Sequence, residues 1–448
     1  MKIQKIKREE LWKFITLSIG ASISQIALIL VGLSDSIMMG RQSSSGLAAG
    51  TLISSIYNLG LLFCMGMIIP ITYKLGSVKY QKDNTEKKRI LQGYYQMVIF
   101  LTIFVMIFLF GIVKINSYII KDAIVISLAE KYAIGLLPGV LPWLLFYLIR
   151  NILLCKQKVK LTTILSGISV LLNIGINYVC IYGVGKFKGF GTTGCAIATS
   201  ITNWIILLLL VFFIRRDRDI LPEWKRIYYK KNGVIKEIWK LGIPSGLVFF
   251  SEYLIFTVGN TMLSHIGTDS VIAMGIAVSW LNLSYMFPVG LSQVLTEQIA
   301  GYISVHEQNN VKSLSKLSMW VGFFYSILCG ILIVIFRESL IHIIVGNLIS
   351  KELYILSERF LFITIGIIVV YNMIVITSGI LRGLGDVKTP LFMMFFMYWI
   401  VGIGGTLVMT YLFQEYGVLF GMLLGFSLTF AGIYSTYQKK IWRGNGEG

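Results

Sequence analysis

The stretch VIFLTIFVMIFLFGIV, residues 98–113, carries no charge and is apolar on every face of the helix it would form. A strand of a β-barrel would alternate apolar and polar side chains, so this stretch argues against that class of membrane protein. Similar apolar blocks, each about 20 residues long, recur along the chain. This is the length of helix that crosses a bilayer core. The 448-residue chain is 56% hydrophobic and 14% charged. We therefore predict an all-α, polytopic membrane protein.

The apolar blocks predict twelve transmembrane helices, which we number along the sequence. The longest polar interval, residues 215–236, divides them into two groups of six. This division predicts an N-terminal six-helix lobe at residues 1–220, a cytoplasmic linker at 221–236 and a C-terminal six-helix lobe at 237–448. The predicted helices cover residues 12–38, 47–73, 90–114, 128–149, 161–183, 193–214, 237–265, 271–298, 317–336, 353–381, 389–412 and 417–437.

The two halves of the chain repeat each other in sequence. ILLCKQKVKLT (152–162) aligns with ILRGLGDVKTP (380–390), and GLAAGTLISSIYNLGLLFCMG (46–66) aligns with SVIAMGIAVSWLNLSYMFPVG (270–290). With Leu17 matched to Leu241, all three alignments have offsets of 224 to 228 residues. Internal repeats of this kind indicate two pseudo-symmetric lobes, a substrate path at the lobe interface and alternating access.

The excess of basic residues follows the predicted topology. The chain has 40 Lys and Arg residues against 21 Asp and Glu residues, a formal net charge of +19. With the N-terminus inside, 31 of the 40 basic residues fall in or beside inner segments. This positive-inside bias predicts a multi-pass protein of the inner (cytoplasmic) membrane with both termini in the cytoplasm. A nucleic-acid partner is not needed to explain the charge.

Enzyme chemistry has little support in the sequence. The three histidines, His265, His306 and His342, have no spacing typical of a metal site, and no GxxxxGK[ST] phosphate-binding loop is present. We therefore predict a secondary active transporter in the lipid bilayer. We expect it to be a monomer and to need no cofactor apart from a coupling ion.

Apart from acids in the first two turns of a helix, the predicted helices contain three acidic residues: Asp35, Glu252 and Glu297. A charged carboxylate inside a membrane costs about 2.5–3.5 kcal/mol on insertion scales, and protonation or cation binding lowers that cost. Either event would couple the residue to an ion gradient. Asp35 and Glu252 are our candidates for this role. Glu297 lies at the inner end of predicted helix 8, where we expect it to reach water and to have a structural or gating role.

Polar side chains form two stripes on predicted helices 5 and 6. Asn173 and Asn177 are four residues apart on helix 5, and Thr199 and Asn203 are four apart on helix 6. Residues at this spacing share one face of a helix. In an apolar surrounding they need partners. They could serve a polar site or simply form hydrogen bonds between helices.

Four segments form a recognisable set: SDSIMMG (34–40), GTTGCAIATSITN (191–203), LGIPSGLVFFSE (241–252) and GILRGLGDVKTP (379–390). They resemble, in this order, the end of helix 1, helix 6, the start of helix 7 and the helix 10–11 signature of the multidrug and toxin extrusion (MATE) family. This family lies within the wider multidrug/oligosaccharide-lipid/polysaccharide exporter group. The resemblance covers essentially the whole chain. It implies a cation-coupled antiporter for organic compounds, built as a V of two six-helix bundles.

The resemblance also implies a coupling site in the N-terminal lobe. Asp35 matches the protonatable or cation-binding aspartate of the family, which works with polar groups of helices 5 and 6, here Asn173, Asn177 and Thr199. The family often has a second carboxylate where this chain has Asn177. A dehydrated sodium ion at Asp35 would lack that negative ligand. We therefore favour proton coupling and keep sodium as the alternative.

In the C-terminal lobe, Glu252 lies eight residues after Pro244, the spacing that the family shows for its helix 7 glutamate. Part of the family has an aspartate on helix 10 at the position of Tyr371. This departure argues against a cation site made of two carboxylates, although Tyr371 could donate a hydrogen bond to Glu252. Asn203 and Tyr371 are our candidates for residues that line a substrate cleft.

The sequence thus predicts an antiporter that exports small amphipathic organic compounds or natural products, expected to be cationic, by alternating access. The main alternative is a lipid-linked oligosaccharide flippase of related two-lobe architecture. Such a flippase would need a cationic cleft for pyrophosphate, whereas acids and amides are predicted at this lobe interface.

Overall fold

A computed structural model of the chain describes residues 8–78, 84–119, 123–217, 220–221, 233–345 and 350–442. Twelve helices in these ranges are long and apolar enough to cross a membrane, which confirms the predicted all-α fold and helix number. Of the predicted linker at 221–236, residues 222–232 lie outside the described part. The helices are α1 (Arg8–Gln42), α2 (Ser44–Ile68 and Ile71–Ser77), α3 (Asn84–Ile119), α4 (Ala123–Cys155), α5 (Val159–Tyr182), α6 (Thr192–Ile214), α7 (Gly233–Ile266), α8 (Thr268–Ser304), α9 (Gln308–Val345), α10 (Lys351–Gly383), α11 (Lys388–Phe413) and α12 (Glu415–Trp442).

Helix ends are set by capping and by proline. The Ser43 hydroxyl accepts a hydrogen bond from the Gly46 backbone N–H at the start of α2, and Ser350 caps α10 in the same way. Pro70 lies at the break in α2, because proline has no N–H to continue a helix. Most helices extend beyond the predicted apolar blocks, since polar residues at their ends remain helical outside the hydrocarbon layer.

Helix α11 departs from the predicted uninterrupted helix. It consists of an α-helical part (Lys388–Phe396), a π-helical segment (Met397–Ile403) and a second α-helical part (Gly404–Phe413). A π turn uses i→i+5 hydrogen bonds and therefore holds more residues than an α turn. The hydrophobic pattern of residues 389–412 contains no signal for this change.

The repeat predicted from sequence is visible in two turns. Gln157, between α4 and α5, and Gly385, between α10 and α11, occupy aligned positions and both have positive φ, 60° and 82°. The following backbone N–H groups close equivalent hydrogen bonds, from Lys158 to Leu153 and from Asp386 to Leu381. Glycine adopts this left-handed conformation without strain, whereas Gln157 adopts it at some cost.

The same two turns carry ion pairs of opposite polarity. The Lys158 ammonium lies 2.9 Å from the Asp217 carboxylate after α6, and the aligned Asp386 lies 2.8 Å from Lys440 near the end of α12. Burial alone would raise the pKa of Asp217, but Lys156 and Lys158 outweigh burial and hold that pKa at about 2. Burial would likewise raise the pKa of Asp386, but Lys440 and Thr389 together outweigh burial and lower it. In each half an ion pair thus connects the turn to the end of the sixth helix of that half. The turn carries the positive charge in the first half and the negative charge in the second.

The described residues fall into two compact units. One contains Ile23–Gly246, and the other contains Met1–Ser22 together with Leu247–Gly448. These boundaries differ from the predicted lobe boundaries near residues 220 and 237. The chain passes between the units inside α1, after Ser22, and inside α7, after Gly246. The two positions are related by the 224-residue offset of the sequence repeat.

A glycine of the neighbouring helix packs against the chain at each of these two positions. Within the first unit, a Cβ on Gly66 would lie 2.6 Å from the Ser245 carbonyl oxygen and 2.8 Å from the Gly246 Cα. Within the second unit, a Cβ on Gly290 would lie 2.6 Å from the Ser22 nitrogen and 2.8 Å from its Cα. Gly66 and Gly290 are aligned in the repeat, so both crossing points depend on the same close backbone approach.

Candidate functional site

Asp35 is buried on α1 and is held by neutral hydrogen-bond donors. Its side chain is only 8% exposed. The Asn177 amide on α5 donates to Asp35 Oδ1 at 2.6 Å, and the Thr199 hydroxyl on α6 can donate to Asp35 Oδ2 at 3.1 Å. The structure therefore brings three of the predicted site residues together from three helices.

Asn173 extends this cluster by one helical turn. The Asn177 amide also donates to Asn173 Oδ1 at 3.0 Å, and the Ser34 hydroxyl lies 3.0 Å from the same oxygen. Asn173 and Asn177 are both fully buried. The i, i+4 stripe of α5 thus faces α1, where its amides hydrogen-bond with the carboxylate and with the neighbouring serine.

The Thr199 hydroxyl can serve Asp35 in either protonation state. Its oxygen lies 3.1 Å from Asp35 Oδ2 and 3.0 Å from the Cys195 carbonyl oxygen, yet the hydroxyl has a single hydrogen. When Asp35 is charged, Thr199 donates to it. When Asp35 is protonated, Asp35 can donate to Thr199, which then donates to Cys195. Rotation of one hydroxyl thus adapts the hydrogen bonds of this site to either protonation state of Asp35.

Sequence reasoning missed three residues around Asp35. Tyr57 on α2, Tyr132 on α4 and Cys195 on α6 all interact electrostatically with the Asp35 carboxylate. The Tyr132 hydroxyl pairs with Ser54 at 3.2 Å, whereas the Tyr57 hydroxyl is buried without a hydrogen-bond partner among the described residues. Only Cys195, four residues before Thr199, could have been suggested by helical spacing.

Asn203 takes no part in the Asp35 cluster. Its amide donates to the Gly139 carbonyl oxygen on α4 at 3.2 Å. It therefore fastens α6 to α4, next to Ser200, whose hydroxyl donates to the Gly135 carbonyl oxygen at 2.6 Å. This is the hydrogen-bonding role between helices that the sequence left open for the polar stripes.

Glu252 on α7 is surrounded by tyrosines. It is 9% exposed, and the Tyr285 hydroxyl on α8 lies 3.5 Å from its Oε2. Tyr371 on α10 stacks on Tyr285 with ring centroids 4.8 Å apart and interacts with the same carboxyl group, as does Tyr398 of the π-helical segment of α11. Tyr371 thus lies beside Glu252 and is buried. Tyr285 and Tyr398 had no distinguishing pattern.

Two further charged residues, Arg382 and Glu297, lie near the ends of α10 and α8. Arg382 donates to the Ser292 hydroxyl at 2.7 Å and exerts an electrostatic effect on Glu252. Glu297 is fully buried, so the prediction that it would reach water was wrong. Helices α8 and α10 approach closely on either side of it, because a Cβ on Gly383 would lie 2.7 Å from the Ile299 Cβ and 3.1 Å from the Thr296 carbonyl oxygen.

The chemistry of the described residues limits how a cation could be held. No group of three or more His, Cys, Asp and Glu side chains in these ranges could hold a metal ion. A cation at Asp35 would have one carboxylate and neutral oxygens as ligands. Asn177 Oδ1 is one such oxygen, because it is buried and lacks a hydrogen-bond partner among the described residues.

Comparisons with known proteins agree with this architecture. The family model described as MatE matches residues 21–179 and 244–408. The "Probable multidrug resistance protein NorM" of Mannheimia succiniciproducens is 28% identical over 95% of this chain and 92% of that protein. The "Multidrug resistance protein MdtK" of Proteus mirabilis is 26% identical over 97% and 95%, respectively. A solved multidrug resistance MATE family transporter superposes with a TM-score of 0.87 at 17% identity, covering 96% of this chain and 95% of that one.

Proposed function

The chain belongs to the MATE family of multidrug efflux transporters, and from this premise we propose that it is a proton-coupled antiporter for amphipathic organic cations. Support comes above all from the Asp35 site. There a single buried carboxylate is surrounded by donors that can serve both its charged and its protonated form. The names of the related proteins favour drug export over the flippase that the sequence left as an alternative.

Proton and substrate would compete for the same negative charge. In the state open to the cytoplasm, charged Asp35 attracts a cationic compound. In the outward state, protonation removes that charge and weakens binding, so the compound is released. Deprotonation toward the cytoplasm restores the binding state. Protonation of Glu252 would act in the same way in the second unit.

Sodium remains the alternative coupling ion at Asp35. Hard cations prefer carboxylate and carbonyl oxygens, and Asn177 Oδ1 offers a buried oxygen of this kind beside the carboxylate. The argument for the proton is the charge balance. Asn177 is neutral, so a sodium ion would be paired with one carboxylate only, whereas a proton needs no further ligand.

Aromatic side chains are the expected contacts for the exported compound. Tyr285 is partly exposed beside Glu252 and stacks with one ring face on the buried Tyr371, so it offers its other face next to a carboxylate. Ring faces attract organic cations by cation–π interaction, and they tolerate compounds of varied shape. Planar, singly charged, amphipathic compounds fit this chemistry best.

Alternating access would require α1 and α7 to bend. The chain connects the two units only inside these helices, after Ser22 and after Gly246. Any change in the relative orientation of the units therefore acts on these two points. We further propose that the protein works as a monomer in the inner membrane with both termini in the cytoplasm, as the distribution of basic residues suggests.

The test uses fluorescent probes of different charge in cells that lack their major efflux pumps. We expect cells that express the protein to expel a planar cation such as ethidium faster than vector-only cells. A neutral and an anionic dye of similar size should be retained equally by both. Export of the anion in preference to the cation, or no export of any probe at normal expression, would contradict the proposal.

A further inference from the structure

The π-helical segment Met397–Ile403 of α11 is tightly packed against two other helices of its unit. A Cβ on Gly402 would lie 2.9 Å from the Ile255 side chain on α7. A Cβ on Gly425 of α12 would lie 2.7 Å from the Gly402 Cα. The segment is thus fixed in place within the membrane helices. Segments of this kind occur frequently at functional sites.

Two consecutive residues of the segment reach neighbouring residues of α7. The Trp399 indole N–H donates to the Ser251 hydroxyl at 3.0 Å, while Tyr398 interacts with the Glu252 carboxyl group. In an α-helix, consecutive side chains diverge by about 100°. The wider π turn reduces this angle, which helps both side chains to face α7.

The Tyr398 hydroxyl is in an unusual position for a buried polar group. The side chain is fully buried, and its ring lies edge-on against Phe426 at 5.3 Å. The hydroxyl lies in the field of Glu252 but stops short of a full hydrogen bond with it. A buried hydroxyl without a partner is unfavourable, because it loses its hydrogen bonds to water. Phenylalanine would fill the same space without this cost, so packing alone does not explain a tyrosine here.

We infer that Tyr398 is a positioning residue for Glu252, presented by the π-helical segment, and that it completes a hydrogen bond to the carboxylate when Glu252 loses its proton. Helix α11 thereby senses the charge of Glu252. This inference rests on the proposed coupling role of Glu252. Tyr398 would be a polar partner for Glu252 from α11. On α10 the carboxylate faces Tyr371 and not a second acid.

Other groups around Glu252 also act on its carboxyl. The hydroxyl groups of Tyr285 and Tyr371 face the carboxyl from α8 and α10, and Arg382 acts on it electrostatically from the end of α10. These groups would stay unchanged when the Tyr398 hydroxyl alone is removed. The change Tyr398→Phe keeps the ring against Phe426, so we expect the variant to fold.

The experiment is an infrared titration of the purified full-length protein. The protonated Glu252 carboxyl is identified as the band that Glu252→Gln removes. Its midpoint is then compared between the wild type and Tyr398→Phe. Without the hydroxyl donor the charged form loses a hydrogen bond, so the midpoint should move upward by about one pH unit. Tyr411→Phe is the matched control, because Tyr411 lies on the same helix and is 89% exposed.

The titration does not depend on transport, so it separates this inference from the proposed function. An unchanged midpoint in Tyr398→Phe, or an equal shift in Tyr411→Phe, would overturn the inference even if cations are exported. A second variant, deletion of Ile400, should close the π turn into an α turn, because such a turn contains one extra residue. We expect the deletion to move the midpoint in the same direction. No change in the midpoint would refute the role of the π-helical segment.

Discussion

The change Asp35→Asn should lower proton-driven efflux by roughly 100-fold, the upper range of a coupling free energy between two ligands. Asparagine mimics protonated aspartate, because it is neutral and has almost the same shape. It can still accept a hydrogen bond from Asn177, and its own amide can donate to Thr199, which then donates to Cys195. The fold should therefore remain intact while the negative charge disappears.

Binding measurements should show the reason for this loss. In the wild type, affinity for an organic cation should fall as the pH is lowered, whereas in Asp35→Asn it should be low and independent of pH. Ser36→Ala is a suitable control, because the Ser36 hydroxyl donates within its own helix, to the Gly32 carbonyl oxygen. Unaltered efflux in Asp35→Asn would contradict the role of Asp35. Unaltered efflux in Glu252→Gln as well would rule out the mechanism.

The second large effect concerns the two crossing points. Gly66→Ala and Gly290→Ala should each destabilise the protein by about 3 kcal/mol, because the new methyl group would meet helix backbone that cannot rotate away. For a chain of 448 residues this corresponds to a fall in the melting temperature of about 3 °C. The two variants should behave alike, since the two glycines occupy aligned positions of the repeat.

Gly111→Ala provides the control for helix propensity. Gly111 is exposed on α3, and nothing lies within 4 Å of a Cβ at that position. There the substitution should be neutral or slightly stabilising. Thermal unfolding in detergent would measure all three variants. If Gly66→Ala and Gly290→Ala were as stable as Gly111→Ala, the close backbone approach at these two positions would not contribute to stability.

Periodicity and repetition made much of the fold predictable. Apolar blocks of membrane length determined the helix number, and the repeat aligned Gln157 with Gly385 and Gly66 with Gly290. Spacing alone predicted that Asn173 and Asn177 share a face of α5, whereas the family resemblance implied that this face meets Asp35. The helix number and the shared face of α5 follow from helix length and from the spacing of residues along one helix, both of which can be read from the sequence.

Contacts between distant helices were less predictable. Asn203 lies four residues after Thr199 on α6, yet it donates to Gly139 and not to Asp35. The hydrogen-bond partner depends on which helix lies opposite each residue. The π turn around Tyr398 and the burial of Glu297 likewise depend on packing among several helices. The chain passes from one unit to the other inside α1 and inside α7, where the apolar pattern has no break. The polar interval therefore suggested different unit boundaries.

The central claim is that proton movement drives export through Asp35. Liposomes containing the purified protein and a fluorescent organic cation can be given a proton gradient or a sodium gradient separately. We predict that a proton gradient at equal sodium drives movement of the cation against the flow of protons, and that a sodium gradient at equal pH does not. Transport driven by sodium alone, or by neither gradient, would contradict the account.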